Sequence, residues 1–414
     1  MRYIASVLLL LGSLCVLSAM VSGRLFIVDD DGGADYDTIQ EALDNAKDGD
    51  LIVVKPGTYI ENLHVGSQIE LIGSGNTETI IDGGYQGTVV TINADGVTIS
   101  GFSIVNSSDV PGDAGVLITS DNNIIIENYI TNCRSGIYPK ESSGNIIENN
   151  SCVDNTLHGI TFGYANSDFN MIKNNVFGEN EKYGMYLGKT DGNEIIGNVF
   201  RNNDGLYGAL INSTSNCTVR NNTFMGNEYG VRLMEVMNVI FSENRCENNS
   251  DAGIWINATT DLTVKYCTIT NNSIGIRVNG KCKNTIINMN TITGNQDSGL
   301  DGTESEFKVD ARLNYWGAIS GPHHPTENVD GTGDIITSNT QFNPWATSVP
   351  VPPDDIEDPD PDTNGDDDQG NDDDEDAGPV VVGMLVGILV VLSAMLLMTI
   401  WSILMTGPNE GKRR

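Results

Sequence analysis

Glycine recurs at a nearly constant interval through the middle of the chain, and this interval constrains the fold more than any other feature. Successive glycines are 21 to 25 residues apart, at Gly115, Gly136, Gly159, Gly184, Gly208, Gly230, Gly253, Gly275 and Gly299. A repeat that is kept over many copies indicates that each copy forms one turn of a solenoid, because each unit then packs only against its two neighbours.

Asparagine keeps the same interval at two other positions of the repeat. One series is Asn128, Asn150, Asn175, Asn198, Asn222, Asn244, Cys267 and Asn290, and the other is Asn155, Asn180, Asn203, Asn227, Asn249, Asn272 and Asn295. Asparagine tolerates the left-handed conformation of a corner, and stacked amides can hydrogen-bond along an axis. Both series therefore predict structural ladders rather than sets of metal ligands.

Apolar and variable residues alternate after each glycine, as in Ile254-Trp255-Ile256, which is typical of a strand with one buried face. Two further apolar columns stand two residues after and three residues before the first asparagine series. Three such columns per repeat predict an all-β chain, folded as a three-sided parallel β-helix of about 11 turns.

The ends of a solenoid expose apolar surface and strand edges, and so they need caps. Thr38-Ile-Gln-Glu41 is a capping box that predicts a helix at Thr38–Ala46 over the N-terminal end. Strands are predicted at Leu51–Val54, His64–Val65, Ile69–Ile72, Thr79–Ile81, Val89–Ile92 and Val97–Ile104, and a closing cap at Arg312–Trp345.

The two ends of the chain predict export and anchoring. Residues 1–23 have the basic start, apolar run and small-residue cleavage site of a signal peptide, with an uncleaved anchor as the alternative. Residues 379–406 hold an uncharged run from Val380 to Met405, longer than the ~20 residues that span a bilayer as a helix. The basic tail at 407–414 predicts a cytoplasmic C-terminus, with a cleavable sorting tail as the alternative to a retained anchor.

The remaining segments of the chain differ in their charge. Residues 351–378 contain 14 Asp and Glu and no Lys or Arg, which predicts a disordered acidic stalk between the membrane and a β-helix ectodomain at 24–350. The whole chain has a formal net charge of −34. This charge argues against a nucleic-acid partner, because binding to phosphates requires clustered Lys and Arg.

Motifs at both ends of the ectodomain resemble a known family. The opening contains Asp37-Thr-Ile-Gln-Glu-Ala-Leu43 and Val54-Lys-Pro-Gly57-Thr-Tyr59, and the close contains Asn314-Tyr-Trp-Gly317 and Phe342-Asn-Pro-Trp345. They are similar to the secreted right-handed parallel β-helix repeat proteins of archaea, grouped with the NosD-type copper-binding and carbohydrate-binding β-helix family of the pectin-lyase-like fold. The resemblance implies a right-handed helix at a cell surface, but it implies no single activity because this fold hosts enzymes, adhesins and scaffolds.

One outward column of the repeat is unusual. Two residues after each glycine stand Tyr138, Thr161, Tyr186, Leu210, Arg232, Trp255, Arg277 and Asp301. Aromatic rings beside arginine can stack on sugars and hold acidic groups, although cross-turn stacking that stabilises the sheet is the alternative. We predict that Tyr138, Tyr186, Arg232, Trp255 and Arg277 bind an extracellular or cell-wall polysaccharide or glycoprotein. Tyr183, Tyr207 and Tyr229 form a neighbouring column that is predicted to be structural.

The sequence contains few candidate metal and modification sites. The family name suggests copper, for which His323 and His324 are the candidate ligands, and the alternative is that both belong to the closing cap. Eight Asn-X-Ser/Thr sequons occur, and glycosylation is predicted at Asn212 and Asn257, just past an outward column.

Six cysteines remain after the signal peptide and are predicted to be buried free thiols, because their register does not bring pairs within disulfide distance.

The sequence thus favours a surface-anchored protein for carbohydrate binding, adhesion or envelope structure. The first alternative is a lyase, epimerase or hydrolase acting on an acidic polysaccharide, with calcium as its candidate cofactor. The Asn-Thr-Asp, Gly-His-Gly and Asp-Pro-His signatures of such enzymes are absent from the sequence, and we predict no catalytic residue. The second alternative is metal handling through the two histidines.

Overall fold

Parallel strands stack into three long sheets that enclose one core. The computed structural model describes residues 23–163, 166–337 and 339–353. Within them, sheet A has 14 strands, and sheets B and C have 11 each. Each turn passes through A, B and C in that order, which gives a right-handed parallel β-helix of about 12 turns and confirms the predicted architecture.

The strand bounds follow the repeat. Sheet A contains Leu25–Val28, Leu51–Val54, Glu70–Gly73, Thr98–Ser100, Ile124–Ile126, Ile146–Glu148, Met171–Lys173, Glu194–Ile196, Thr218–Arg220, Met237–Ser242, Thr260–Lys265, Ile286–Asn288, Val309–Asp310 and Thr340–Gln341. Sheet B contains Gly57–Ile60, Thr79–Asp82, Ser103–Val105, Tyr129–Thr131, Ser151–Val153, Val176–Gly178, Val199–Arg201, Thr223–Met225, Arg245–Glu247, Thr268–Thr270 and Thr291–Thr293. Sheet C contains Leu63–Val65, Val90–Ile92, Val116–Ile118, Ser135–Pro139, His158–Phe162, Tyr183–Gly188, Tyr207–Asn212, Tyr229–Met234, Ala252–Asn257, Ile274–Asn279 and Ser298–Asp301. Pro322–His323 and Gly333–Ile335 pair separately.

The apolar columns read from the sequence line the interior. Phe177, Phe200 and Phe224 are fully buried and pair in register on sheet B. Their ring centroids are 5.3 and 4.9 Å apart, and Phe241 of sheet A lies 6.0 Å from Phe224. The phenylalanine rings therefore form a continuous stack in the core rather than separate clusters. Burial of each such side chain contributes about 1.5–3 kcal/mol to stability.

The asparagine series form buried hydrogen-bonded ladders, as predicted. In each step the side-chain oxygen accepts hydrogen bonds from the backbone N–H and the side-chain amide of the asparagine one turn earlier. Asn222 illustrates this, because its Oδ1 accepts from Asn198 N and Nδ2 at 2.8 and 3.0 Å while its own Nδ2 donates to Asn244 Oδ1 at 3.0 Å. The same Nδ2 donates to the Ile195 carbonyl at 2.8 Å, so one amide joins three turns.

Three features of the ladders were not predicted from the sequence. A third ladder runs through Asn123, Asn145, Asn170 and Asn193 at the corner before sheet A. Asn314 of the closing motif extends the first ladder, since its Oδ1 accepts from Asn290 N at 2.9 Å. The Asp334 carboxylate ends the second ladder by accepting from Asn295 N and Nδ2 at 3.0 and 2.8 Å.

Corners require left-handed backbone, and this corrects one predicted strand. Val97–Ile104 was expected to be continuous, but it divides into Thr98–Ser100 and Ser103–Val105 because Gly101 has a φ of 77°. Leu25–Val28 and Gly57–Ile60 are strands that the alternation did not reveal.

A short helix, Ile39–Asn45, lies near the N-terminal turn. Thr38 Oγ1 accepts a hydrogen bond from Glu41 N at 3.3 Å, as a capping residue should. The Glu61 carboxylate accepts from Ile39 N and Gln40 N at 2.9 Å each, so a later strand connection satisfies the free N–H groups of this helix. Ile39, Ala42 and Leu43 are buried in the core.

The cysteines agree with the sequence-based expectation. Cys133, Cys152, Cys217, Cys246, Cys267 and Cys282 are buried and free. Burial raises the pKa of Cys133 to about 11 and that of Cys267 to about 12, so both stay protonated at neutral pH.

The predicted signal peptide at 1–23, stalk at 351–378, membrane helix at 379–406 and tail at 407–414 lie outside the described residues, apart from Gly23 and 351–353. Among the residues that are described, no helix has the length and apolar character needed to cross a bilayer.

Replacing one ladder asparagine tests whether the ladder stabilises the fold. We expect Asn222→Ala to lower the free energy of unfolding by about 3 kcal/mol or more, because several buried N–H and C=O groups lose hydrogen bonds. Urea unfolding followed by circular dichroism measures the change. Asn174→Asp is the matched control, because Asn174 is exposed at the equivalent corner two turns earlier and aspartate also tolerates its left-handed backbone. Equal stabilities of the two variants would contradict the role of the ladder.

Candidate ligand-binding face

The outer face of sheet C carries the unusual column in the register that the glycines predicted. Thr161 pairs with Tyr186, Tyr186 with Leu210, and Leu210 with Arg232. The column continues from Arg232 to Trp255, from Trp255 to Arg277, and from Arg277 to Asp301. Successive residues of the column are therefore one turn apart, about 4.8 Å along the axis.

A second aromatic column lies beside it at the start of the same strands. His158 pairs with Tyr183, and Tyr207 pairs with Tyr229. The two columns together form a surface that we call the aromatic–arginine face, made of His158, Tyr183, Tyr186, Tyr207, Tyr229, Arg232, Trp255 and Arg277. It spans the six successive strands of sheet C from His158–Phe162 to Ile274–Asn279.

The rings of this face contact one another along the axis. The centroid of His158 lies 4.8 Å from that of Tyr183, which lies 5.1 Å from Tyr207. Tyr229 continues the row, at 5.4 Å from Tyr207 and 5.0 Å from Trp255. The rings of His158 and Tyr183 are stacked, with an interplanar angle of 23°, and those of the other three pairs are tilted by 35° to 59°. The cross-turn stacking weighed as the alternative is therefore present.

Trp255 lies between two arginines. The Arg232 guanidinium carbon is 4.0 Å from the Trp255 ring centroid, and that of Arg277 is 5.7 Å from it. Contacts of this kind contribute about 0.5–2 kcal/mol each, depending on desolvation. The indole N–H of Trp255 and Nε of Arg232 have no hydrogen-bond acceptor among the described residues.

Both arginines are engaged within the protein. Arg277 donates to the two oxygens of Asp251 at 3.2 and 2.8 Å, and Arg232 donates to the Tyr207 hydroxyl at 2.9 Å. Burial and the adjacent Asp251 carboxylate raise the pKa of Tyr229 to about 12, so its hydroxyl stays protonated. Sequence reasoning missed Asp251, which stands two residues before a repeat glycine and reaches Arg277 one turn later.

Exposure divides the predicted ligand-binding residues. Tyr186, Arg232, Trp255 and Arg277 are half-buried, so part of each side chain reaches solvent. Tyr138 is only 8% exposed, which corrects the expectation that it lies on an open surface. Gly188 makes room for Tyr186, because a Cβ at position 188 would lie 2.9 Å from the Tyr186 hydroxyl.

His158 is the titratable group of this face that burial affects most clearly. Its Nδ1 accepts a hydrogen bond from Tyr183 N at 3.2 Å. Burial, helped by the positive charges of Lys182 and Arg134, lowers the pKa of His158 to about 4. The imidazole is therefore neutral at physiological pH.

The candidate metal ligands lie elsewhere. His324 is buried against Phe342, with ring centroids 5.5 Å apart, and its Nδ1 accepts from Glu327 N at 3.0 Å. His323 lies in the separate strand pair near the C-terminal end. No group of three or more His, Cys, Asp or Glu side chains able to hold a metal ion occurs in the part of the chain that the structure describes.

Comparison with known proteins supports the architecture. Residues 164–315 match the family model "Right handed beta helix region", and residues 43–210 match "Periplasmic copper-binding protein (NosD)". Both matches agree with the right-handed parallel β-helix described above.

Particular relatives add detail. The chain is 28% identical to a cell surface glycoprotein of Methanothermus fervidus, over 42% of this chain and 35% of that protein. The match thus spans about a third of the relative's length. The fold is similar to the A-module of the mannuronan C-5 epimerase AlgE4 of Azotobacter vinelandii, with a TM-score of 0.59, 16% identity, and coverage of 77% of this chain and 98% of that one. An alpha-1,3-glucanase from Streptomyces thermodiastaticus gives a TM-score of 0.51, 13% identity, and coverage of 80% and 70%. At these identities the likeness concerns the fold alone.

The lowered pKa of His158 predicts acid sensitivity. The unfolded chain binds a proton below pH 6.5 and the folded chain only below about 4, so stability is lost as the pH falls through this window. We expect this residue to contribute a loss of about 2 kcal/mol between pH 7 and pH 4.5. Urea unfolding at both pH values should show a smaller loss for His158→Gln than for the wild type. Equal losses would contradict the assignment.

Proposed function

We propose that this chain is a cell-surface β-helix protein that binds carbohydrate along the aromatic–arginine face. The observation that carries the proposal is the row of contacting aromatic side chains on sheet C, in which Tyr183, Tyr186, Tyr229 and Trp255 are half-buried while His158 and Tyr207 are buried. Aromatic residues with a polar group are suited to carbohydrate because they combine apolar area with hydrogen-bond donors. By comparison, the outer face of sheet A carries side chains such as Ile240, Thr263 and Ile286.

The mode of contact follows from the stacking. Since neighbouring ring centroids are 4.8 to 5.4 Å apart, no sugar ring fits between them, and a glycan would lie along the outer side of the row. The unused donors Trp255 Nε1 and Arg232 Nε support this, because a buried donor without an acceptor costs about 1–3 kcal/mol. Sugar oxygens that met such donors after a small side-chain shift would recover part of that cost.

Charge favours a neutral glycan over an acidic one. Arg277 is neutralised by Asp251, whereas Arg232 lies against the Trp255 ring and forms no ion pair among the described residues, so the face carries one uncompensated positive charge. The net charge of −34 would repel a polyanion. The expectation that the arginines hold acidic groups is thus replaced here by a proposal for neutral sugar.

The surface location rests on the relative and on the sequence. The relative is described as a cell surface glycoprotein, and residues 1–23 and 379–406 have the composition of a signal peptide and a membrane helix. We propose a single-pass anchor with the acidic segment 351–378 as a stalk, an extracellular β-helix and a cytoplasmic tail. The helix Ile39–Asn45 would close the N-terminal end of the core.

The enzyme alternative has less support from the face. Lyases, epimerases and hydrolases need carboxylates or other acid–base groups free to act on the sugar. Asp251 is paired with Arg277, and Asp301 accepts hydrogen bonds from Thr303 and Thr337. Catalysis and metal handling are therefore alternatives that the binding experiments have to distinguish.

Replacing the central tryptophan tests the binding face. We expect Trp255→Ala to weaken binding of neutral oligosaccharides at least tenfold, which corresponds to about 1.4 kcal/mol, because the aromatic–arginine face loses its largest side chain. Isothermal titration of the full chain in detergent, with neutral and uronic-acid oligosaccharides, measures the affinities. Ile240→Ala on the outer face of sheet A is the control and should bind like the wild type.

Mass spectrometry of the titrated sugars separates binding from catalysis. Intact oligosaccharides with measurable affinity support the proposal. Shortened, unsaturated or epimerised products would show an enzyme instead, and equal affinities of wild type and Trp255→Ala would exclude this face.

Removing the Asp251 charge tests the preference for neutral sugar. Asp251→Asn should leave Arg277 with an uncompensated charge, and we expect it to gain affinity for uronic-acid oligosaccharides at low salt while keeping its affinity for neutral ones. Asp261→Asn, at an exposed position of the sheet A strand Thr260–Lys265, is the control. A wild type that already prefers acidic sugars would contradict the charge argument.

A further inference from the structure

The asparagine corners divide the eight sequons into two groups that the sequence did not distinguish. The sequons begin at Asn106, Asn149, Asn212, Asn216, Asn221, Asn248, Asn257 and Asn271. In four of them, those of Asn149, Asn221, Asn248 and Asn271, the middle residue is a buried ladder asparagine and the first asparagine lies at the left-handed corner before it.

These four corner asparagines are exposed, with φ between 54° and 58°. Their side-chain amides make no hydrogen bond to another described residue, whereas the ladder asparagine beside each is almost fully buried. The backbone thus directs one amide of each Asn-Asn pair into the ladder and the other to solvent.

The hydroxyl residue of each of these sequons also lies at the surface. Ser151, Thr223 and Ser273 are partly exposed, and Ser250 is exposed. Ser273 donates to the exposed side chain of Asp297, while no side-chain hydrogen bond of the other three is found among the described residues. Both groups that define the sequon are therefore within reach of an enzyme that approaches the folded protein.

The other four sequons are obstructed. Thr214 and Thr259, the hydroxyl residues of the Asn212 and Asn257 sequons, are both 0% exposed. The Asn216 amide donates to Asp191 at 2.7 Å and accepts from Asn238 at 2.6 Å.

The Asn106 sequon is obstructed in the same way. Its amide donates to Asp82 at 2.8 Å and accepts from Asn132 at 2.5 Å, and the Ser108 hydroxyl is held by Asp113.

We propose that Asn149, Asn221, Asn248 and Asn271 are sites of N-linked glycosylation that occurs after folding, and that the other four sequons stay unmodified. This replaces the sequence-based prediction of Asn212 and Asn257, and it rests on the proposed surface location. The donor class is an oligosaccharide linked through phosphate to a lipid. Asparagine Nδ2 forms a bond to the anomeric carbon, the bond from that carbon to the phosphate oxygen breaks, the amide loses one proton, and the lipid phosphate leaves as an anion.

Peptide mapping by mass spectrometry of the full chain, isolated from the cells that produce it, tests the proposal. We expect sugar masses on peptides with Asn149, Asn221, Asn248 or Asn271 and none on the remaining sequons. Sugar on Asn106, Asn212, Asn216 or Asn257 would overturn the proposal, as would an unmodified chain.

A variant pair isolates one site. Thr223→Ala should remove the sugar mass at Asn221, whereas Thr223→Ser should keep it, because serine preserves the sequon. Since residue 223 points outward from sheet B, neither change removes a ladder amide or a core side chain. Retention of the mass in Thr223→Ala would overturn the assignment.

Labelling of intact cells with a reagent that cannot enter them separates this inference from the proposed function. An unmodified chain that is labelled from outside is at the surface, and only the glycosylation proposal fails. An unmodified chain that is protected from the reagent contradicts both.

Discussion

The buried amide of asparagine is the interaction on which this structure depends. A corner that turns the chain between two sheets leaves backbone N–H and C=O groups that the strands do not pair, and these groups lie inside the molecule. The ladder amides satisfy them and at the same time join successive turns. An asparagine side chain is able to do both because it has donors and an acceptor on one planar group. The first ladder weakens at Cys267, whose thiol donates only weak hydrogen bonds to the Phe241 and Lys265 carbonyl oxygens and has no oxygen to accept from Asn244.

The outer face of sheet C follows from this fixed register. Because the ladders fix the register of successive turns, equivalent residues of neighbouring turns must stand in a row. Tyr183, Tyr207 and Tyr229, one position before the glycines, therefore contact one another, and Trp255 of the neighbouring column joins their row. The same geometry brings Asp251 under Arg277 and neutralises it. Stability of the sheet and the chemistry of its surface therefore arise from the same contacts.

Much of this architecture could be predicted because the repeat encodes it locally. The glycines, the two longer asparagine series and the three apolar columns each define one position per turn, and strand register follows from their spacing. The third ladder was equally visible, five residues before the first, but it covers only Asn123 to Asn193. Asp334 could not be predicted as the end of the second ladder, because it reaches Asn295 from a strand outside the repeat. The burial of Tyr138 and the pairing of Asp251 with Arg277 depend on side-chain direction across turns, which alternation alone does not specify.

The direction of the ladder hydrogen bonds has a consequence for how such a protein changes its length during evolution. Within an uninterrupted ladder each amide accepts from the turn before and donates to the turn after, so an interior turn presents the same two surfaces as its neighbours. A duplicated gene segment encoding one whole turn would be accepted between any two ladder levels, and would move the levels beyond it by about 4.8 Å. The two ends lack this freedom, because the Asp334 carboxylate ends the second ladder and Glu61 binds the N–H groups of the helix Ile39–Asn45 instead of a ladder amide. Lengthening is thus an interior event, and the two ends change little while the number of turns between them varies.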